Sequence, residues 1–169
     1  GTTLEQIGKI AVAQRENALN NPQALFRAPM SFQDYLNSRM ISDPIRLFDC
    51  VMPCSGAECV ILASEERAKK ITDKLVYLVT DAESSHFQVA NMLPDKTTFG
   101  MKLPGERIFS EVKREDIDLF EIYDDYPIAV MIQIEDFGYC KKGEGGKFVE
   151  AHDLTYKGDF PVNTGGGEL

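Results

Sequence analysis

Residues 116–138, DIDLFEIYDDYPIAVMIQIEDFG, decide the fold. The stretch 118–123 (DLFEIY) predicts a strand, although its apolar alternation is poor. A helix follows: Asp125 is placed to cap it, Pro127 falls near its first turn, and Gly138 closes it. Within that helix Ile128, Ala129, Val130, Met131, Ile132 and Ile134 wrap the whole cylinder instead of forming one stripe. A helix that is apolar all round is buried on every side. Covering it takes one layer above and one below. A chain of 169 residues is short of material for both, so further sequence or a partner subunit is expected.

Working outward, Thr3 and Gln6 form a capping box at the start of a helix on which Leu4, Ile7, Ala11 and Ala18 recur at helical spacing, with Lys9, Arg15 and Glu16 elsewhere on the cylinder. Asn20, Asn21 and Pro22 end it. Ser31 precedes a second short amphipathic helix over 32–40, broken by Ser42, Asp43 and Pro44. Residues 57–63 (AECVILA) and 75–80 (LVYLVT) predict buried strands. Ser64 caps a helix with Glu65 and Glu66 in its first turn. Residues 81–105 predict mostly loop, with a helical turn near 87–92, and 106–112 a helix. The run 141–147 (KKGEGGK) predicts a flexible glycine turn; it lacks the order of a phosphate-binding P-loop. Residues 159–163 (DFPVN) open another strand before Gly165, Gly166 and Gly167. Strands alternating with helices predict an α/β layered fold.

Composition excludes several classes. The chain is 43% hydrophobic and 27% charged, as globular domains are, so it is not a disordered tail, a collagen-like fibre or a coiled coil. No apolar run approaches the roughly 18 residues that span a bilayer, which argues against a membrane protein. With 18 Lys and Arg against 27 Asp and Glu, net charge −9, no basic stripe is available to displace counterions from a phosphate backbone. Nucleic acid is therefore not an expected partner. The opening residues lack a signal peptide's basic and apolar regions, and both ends suggest a piece of a longer protein.

The four cysteines, Cys50, Cys54, Cys59 and Cys140, lack zinc-ribbon spacing and are expected to be reduced and buried, in the cytoplasm. His86 and His152 lie in different segments, away from any nucleophile, and are expected in loops or at the surface. Glu115, Asp116, Asp118, Glu121, Asp124 and Asp125 are strung along a loop and strand, so their side chains diverge and no metal site is expected.

Four segments carry a resemblance: QRENALNNPQALFRAPMSFQDYLNSRMISDPIRLFDC (14–50), PCSGAECVILASEERA (53–68), DIDLFEIYDDYPIAVMIQIEDFGYCKKGEGGKFVE (116–150) and PVNTGGGEL (161–169). In this order they resemble the thiolase superfamily, in its sterol-carrier-protein-X, or non-specific lipid-transfer thiolase, branch. Members are well over twice this length. The resemblance implies part of a thiolase-like layered α/β/α fold with a mixed sheet and a buried central helix. It implies residues 1–50 as a helical excursion, 51–74 as the end of a first half and 75–169 as the opening of a second. It also implies that the family's nucleophilic Cys lies before Gly1 and its catalytic His beyond Leu169, so the chain alone is expected to lack thiolase activity.

The resemblance further implies where substrate sits. The family's Asn-Glu-Ala-Phe motif is matched by Tyr123, Asp124, Asp125 and Tyr126, an amide having become a phenol. Tyr123 and Asp124 are the candidate catalytic residues, and Gly166 and Gly167 the candidate contacts to coenzyme A. A phenol can pass a proton, which suits retro-aldol cleavage of a β-hydroxyacyl thioester. The alternatives are that Tyr123 only packs at a strand end and that Asp124 and Asp125 only cap, Asp125 being the better placed cap. Three functions follow: a thiolase-like enzyme acting on the carbon–carbon bond beside an acyl-CoA thioester, a steroid side-chain acyl-CoA retro-aldolase using Tyr123, or a non-catalytic acyl-CoA or lipid carrier or scaffold. Coenzyme A enters as the substrate thioester, with no permanently bound cofactor. A homo-oligomer and a small OB-fold partner protein are the expected associations.

Overall fold

α1 (Leu4–Ala18) begins at a closed capping box: Thr3 Oγ1 accepts from Gln6 N at 3.3 Å, and Gln6 Oε1 accepts from Thr3 N at 3.0 Å. This is a computed structural model, and it describes residues 1–85 and 95–168. His86, the helical turn expected near 87–92, and Leu169 lie outside the described residues. After α1 come α2 (Phe32–Asn37), a hairpin of β1 (Met40–Ser42) and β2 (Ile45–Arg46), α3 (Glu65–Ala68), α4 (Lys102–Ile108), α5 (Pro127–Asp136) and α6 (Gly145–Ala151). Short 3-10 turns occur at Leu47–Asp49 and Arg114–Asp116.

α5 is enclosed as its composition predicts. Every residue from Pro127 to Asp136 is buried or half-buried. It packs with α1 and α6 around Ile7, Ile10, Ala11, Val130, Met131, Ile134, Val149, Leu154 and Val162. α1 departs from its amphipathic expectation, since only Glu5 and Glu16 of its residues are exposed. Two of its buried polar side chains are held by distant parts of the chain, while both polar atoms of Gln14 are enclosed without a hydrogen bond among the described residues. Arg15 lies over the rings of Phe26 and Phe48 at 5.0 and 5.5 Å, and Asn17 bonds four backbone groups more than 130 positions away. Gly8 is required here, because a Cβ would stand 2.4 Å from the Tyr35 ring.

Among the described residues the expected layered sheet does not form. β1 and β2 pair antiparallel, with Met40 opposite Arg46 and Ser42 opposite Ile45, and one parallel bridge joins Phe120 to Val162. Segments 57–63, 75–80 and 118–123 are not strands, apart from that bridge. Val60, Ile61, Leu62, Val76, Leu78 and Val79 are 72–98% exposed. Strand propensity is realised only against a partner ladder and a packed face, and among the described residues these segments have neither. For the same reason Cys54 and Cys59 are exposed instead of buried; Cys50 and Cys140 are half-buried, and all four thiols are free.

Two further expectations are corrected. The glycine run 141–147 is a turn only at its start; from Gly145 it is helix α6. Glu135 Oε1 accepts from the amides of Gly143 and Gly145 at 3.0 and 2.8 Å, which anchors that start. A Cβ on Gly146 would lie 2.1 Å from Gln6 Oε1, so glycine serves close packing there rather than flexibility. α4 starts four residues before the expected 106 and ends at Ile108, with a last turn in which the amides of Glu111 and Val112 reach Ile108 O. α2 stops at Asn37, where Ser38 turns extended ahead of the hairpin.

Candidate active site

The chain before α5 lies against the glycine turn near the end of the sequence. Phe120 N donates to Pro161 O at 2.9 Å and Phe120 O accepts from Asn163 N at 3.1 Å, which gives the single parallel bridge. Glu121 Oε1 accepts from Thr164 N and Oγ1 at 2.9 and 2.7 Å. Ile122 N donates to Asn163 Oδ1 at 2.7 Å. Both carboxyl oxygens of Asp124 take the Glu168 amide, at 3.1 Å each. A third segment runs alongside: Val51 N donates to Asp125 O at 3.2 Å and Met52 N to Glu168 O at 3.3 Å. α5 locks the loop from the other side, where Gln133 Nε2 in the second half of the helix donates to Tyr123 O.

Beside this junction opens a cleft of about 550 Å³, whose lining includes Leu25, Phe26, Met52, Cys54, Gly166 and Gly167. The two glycines have φ of 106° and 65°, where other residues are strained. Their contacts are as strict as their torsions. A Cβ on Gly166 would stand 2.6 Å from Ala18 Cβ, and one on Gly167 would stand 1.8 Å from Asp124 Oδ2.

The candidate residues differ sharply in environment. Asp124 is 2% exposed. Burial pushes its carboxyl up to about 6; the Glu168 amide and the Asn163 side chain oppose the rise, and the Glu168 carboxylate adds to it. Tyr123 is 57% exposed, so its ring is not packed at a strand end. Asp125 first, then desolvation and the carboxylates of Glu168 and Asp124, raise its phenol above the ordinary range. Neither Tyr123 nor Asp124 lines the cleft; the glycine turn does. Asp125 is not the cap of α5. The N-cap is Tyr126, without a side-chain bond, and Pro127 takes the first turn.

Asn163, Asn17 and Glu168 complete the junction and were not singled out by their place in the sequence. An Asn ahead of a glycine run is a signal for a left-handed residue, and Asn163 has φ 47°. Asn17 sits in the last turn of α1 with no such signal. His152 stacks on Phe148 and pairs with Asp159 at 2.7 Å, away from this site. The acidic run disperses as its spacing suggests: Glu121 and Asp124 engage different backbone amides. Among the described residues no helix is long and apolar enough to cross a membrane.

Sequence comparison matches residues 82–169 to the family described as Thiolase C-terminal domain-like. An acetyl-CoA acetyltransferase of Methanothermobacter thermautotrophicus is 36% identical over 99% of this chain and 44% of its own length. A 17-hydroxy-3-oxo-4-pregnene-20-carboxyl-CoA lyase of Mycobacterium tuberculosis is 30% identical over 100% of this chain and 46% of its own. A solved Ltp2-ChsH2(DUF35) aldolase superposes with a TM-score of 0.83 at 28% identity, covering 100% of this chain and 46% of that one. The chain thus spans a little under half the length of these relatives. The backbone likeness and the matched profile agree with the resemblance borne by residues 116–150 and 161–169, and this chain belongs to the Thiolase C-terminal domain-like family.

Proposed function

We propose that residues 1–169 form part of a longer thiolase-like protein that acts on the carbon–carbon bond beside an acyl-CoA thioester. One observation carries this: the Asp124 carboxyl, buried and clasping the Glu168 amide, fastens the Tyr123 loop to the Gly166–Gly167 turn that lines the cleft. On this reading the turn approaches the coenzyme A thioester through backbone, because no side chain fits there. Asp124 holds the turn in register with the loop. Residues 1–50, 51–74 and 75–169 are then a helical excursion, the end of one half and the opening of the next, and the layered sheet is completed by strands outside this chain. The exposed apolar segments 57–63 and 75–80 support that division. The four free thiols suit a cytoplasmic protein, and a homo-oligomer belongs to the same reading.

A second reading has an observation of its own. Tyr123 presents an exposed, protonated phenol at the matched motif, and the superposed structure is an aldolase. In retro-aldol cleavage the β-hydroxyl passes its proton to a water molecule and becomes a carbonyl as the Cα–Cβ bond breaks. The bonding pair stays on Cα, delocalised into the thioester as an enolate, and Cα then takes a proton. Tyr123 Oη–H is the donor toward that enolate. A DUF35 partner, named in the aldolase complex, is then the associated protein proposed here.

The test is the full-length protein carrying Tyr123→Phe, assayed with a β-hydroxyacyl-CoA and with a 3-ketoacyl-CoA plus coenzyme A. A loss of retro-aldol turnover of about 100-fold or more, with thiolytic cleavage intact, is the expected result for an aldolase. Undiminished aldol turnover refutes the role of Tyr123. Binding of acyl-CoA with neither reaction refutes the enzyme readings in favour of a carrier. The 169-residue chain alone is proposed to be inactive in both assays.

A further inference from the structure

We propose that Asn163 is the positioning residue of the Asp124 loop and that Asn17, on α1, is its anchor. The inference rests on the reading of this loop as the acyl-CoA site and adds residues that the sequence motif does not contain. Asn163 is 2% exposed and is the one non-glycine residue with positive φ among the described residues. Asn tolerates that conformation better than other side chains. Its two side-chain ends face different ways along the site. Oδ1 accepts from Ile122 N at 2.7 Å, one residue before Tyr123. Nδ2 is enclosed and makes no hydrogen bond of normal geometry among the described residues. It is aimed at the Asp124 side: the point where a Cβ on Gly167 would stand lies 3.2 Å from Asn163 Nδ2 and 1.8 Å from Asp124 Oδ2. An enclosed donor beside a buried carboxyl orients it and favours its charged form.

Asn17 holds this arrangement from behind. It is fully buried. Its Nδ2 donates to Val162 O at 2.9 Å and to Asn163 O at 3.3 Å, and its Oδ1 accepts from Tyr156 N at 2.8 Å. Gly166 N also donates to Asn163 O, at 2.8 Å, so one carbonyl links α1 to the glycine turn. A hydrogen-bonded path therefore runs from Asn17 through the backbone and side chain of Asn163 to Ile122, two residues before Asp124. Asn17 itself makes no hydrogen bond to the Tyr123–Asp124 pair.

The Asp124 carboxyl, followed by ¹³C NMR titration in the full-length protein, reads the proposal without any turnover. Its outcome is therefore separate from whether the full-length protein is a thiolase or an aldolase. Other ionisable groups facing Asp124 are Glu168 and Tyr123, with Asp125 next to it, and none of them is altered. In Asn163→Asp the Oδ1 acceptor and the left-handed backbone are kept while the donor becomes a carboxylate oxygen. The Ile122 amide should stay protected from exchange, and the Asp124 midpoint should rise by more than one pH unit. In Asn17→Ala the midpoint should move by at least half a unit, although no charge has been introduced. A midpoint unmoved in Asn163→Asp overturns the proposal. A midpoint that moves in Asn163→Asp but not in a folded Asn17→Ala chain overturns the anchor role. If Asn17→Ala does not fold, Asn17→Ser replaces it under the same criterion.

Discussion

Replacing Asp124 with Asn should stabilise this protein at neutral pH, and the gain should vanish in acid. The carboxyl is 2% exposed and titrates at about 6 instead of its ordinary 3.8, burial being the main cause. Two pH units correspond to about 3 kcal/mol at roughly 1.36 kcal/mol per unit. The folded chain binds this proton more tightly than the unfolded chain. Stability supplied by the neutral carboxyl is therefore complete below the unfolded value and is lost as pH rises through the folded one. Asp124→Asn keeps an acceptor for the Glu168 amide and has no charge to desolvate. The variant should exceed the parent by about 0.5 kcal/mol at pH 4 and by about 3 kcal/mol at pH 8. Urea unfolding of both chains from pH 4 to pH 8 measures the difference directly, because groups common to both cancel. A difference that stays flat with pH, or a variant weaker than the parent at pH 8, would refute the assignment of Asp124 as a carboxyl kept in a desolvated pocket.

Two packing predictions concern the same framework. Ile134→Ala removes a side chain with no exposed surface at the meeting of α5 with its neighbours and should cost about 2–5 kcal/mol, seen as a lowered urea midpoint. Gly167→Ala places a methyl 1.8 Å from Asp124 Oδ2 at a φ of 65°, and a loss of about 2 kcal/mol or more is expected, whereas Gly165→Ala, whose nearest neighbour is 3.9 Å away, should leave the melting temperature within about a degree or two.

Local signals proved dependable where the chemistry closes within a few residues. The Thr3–Gln6 box forms because both partners sit on one helical turn. Pro127 opens α5 for the same local reason. The enclosure of α5 was legible because its apolar residues leave no polar stripe for water. Segments 57–63 and 75–80 are not strands in the structure, because β-branched composition states a preference and not a partner. The KKGEGGK run looks like a plain turn in sequence because glycine serves both flexibility and close approach, and only the neighbours Gln6 and Glu135 tell which.

The candidate site divides along the same line. Sequence alone determined the greasy helix after residue 126, the acidic surface, and the Tyr123–Asp124 and Gly166–Gly167 motifs as separate features. Their meeting was decided by tertiary structure, because Asp124 reaches the Glu168 amide across 44 positions and Asn17 reaches Asn163 across 146. Nothing in a short window encodes such contacts. The burial that moves the Asp124 carboxyl to about 6 exists only once those distant segments have excluded water from it.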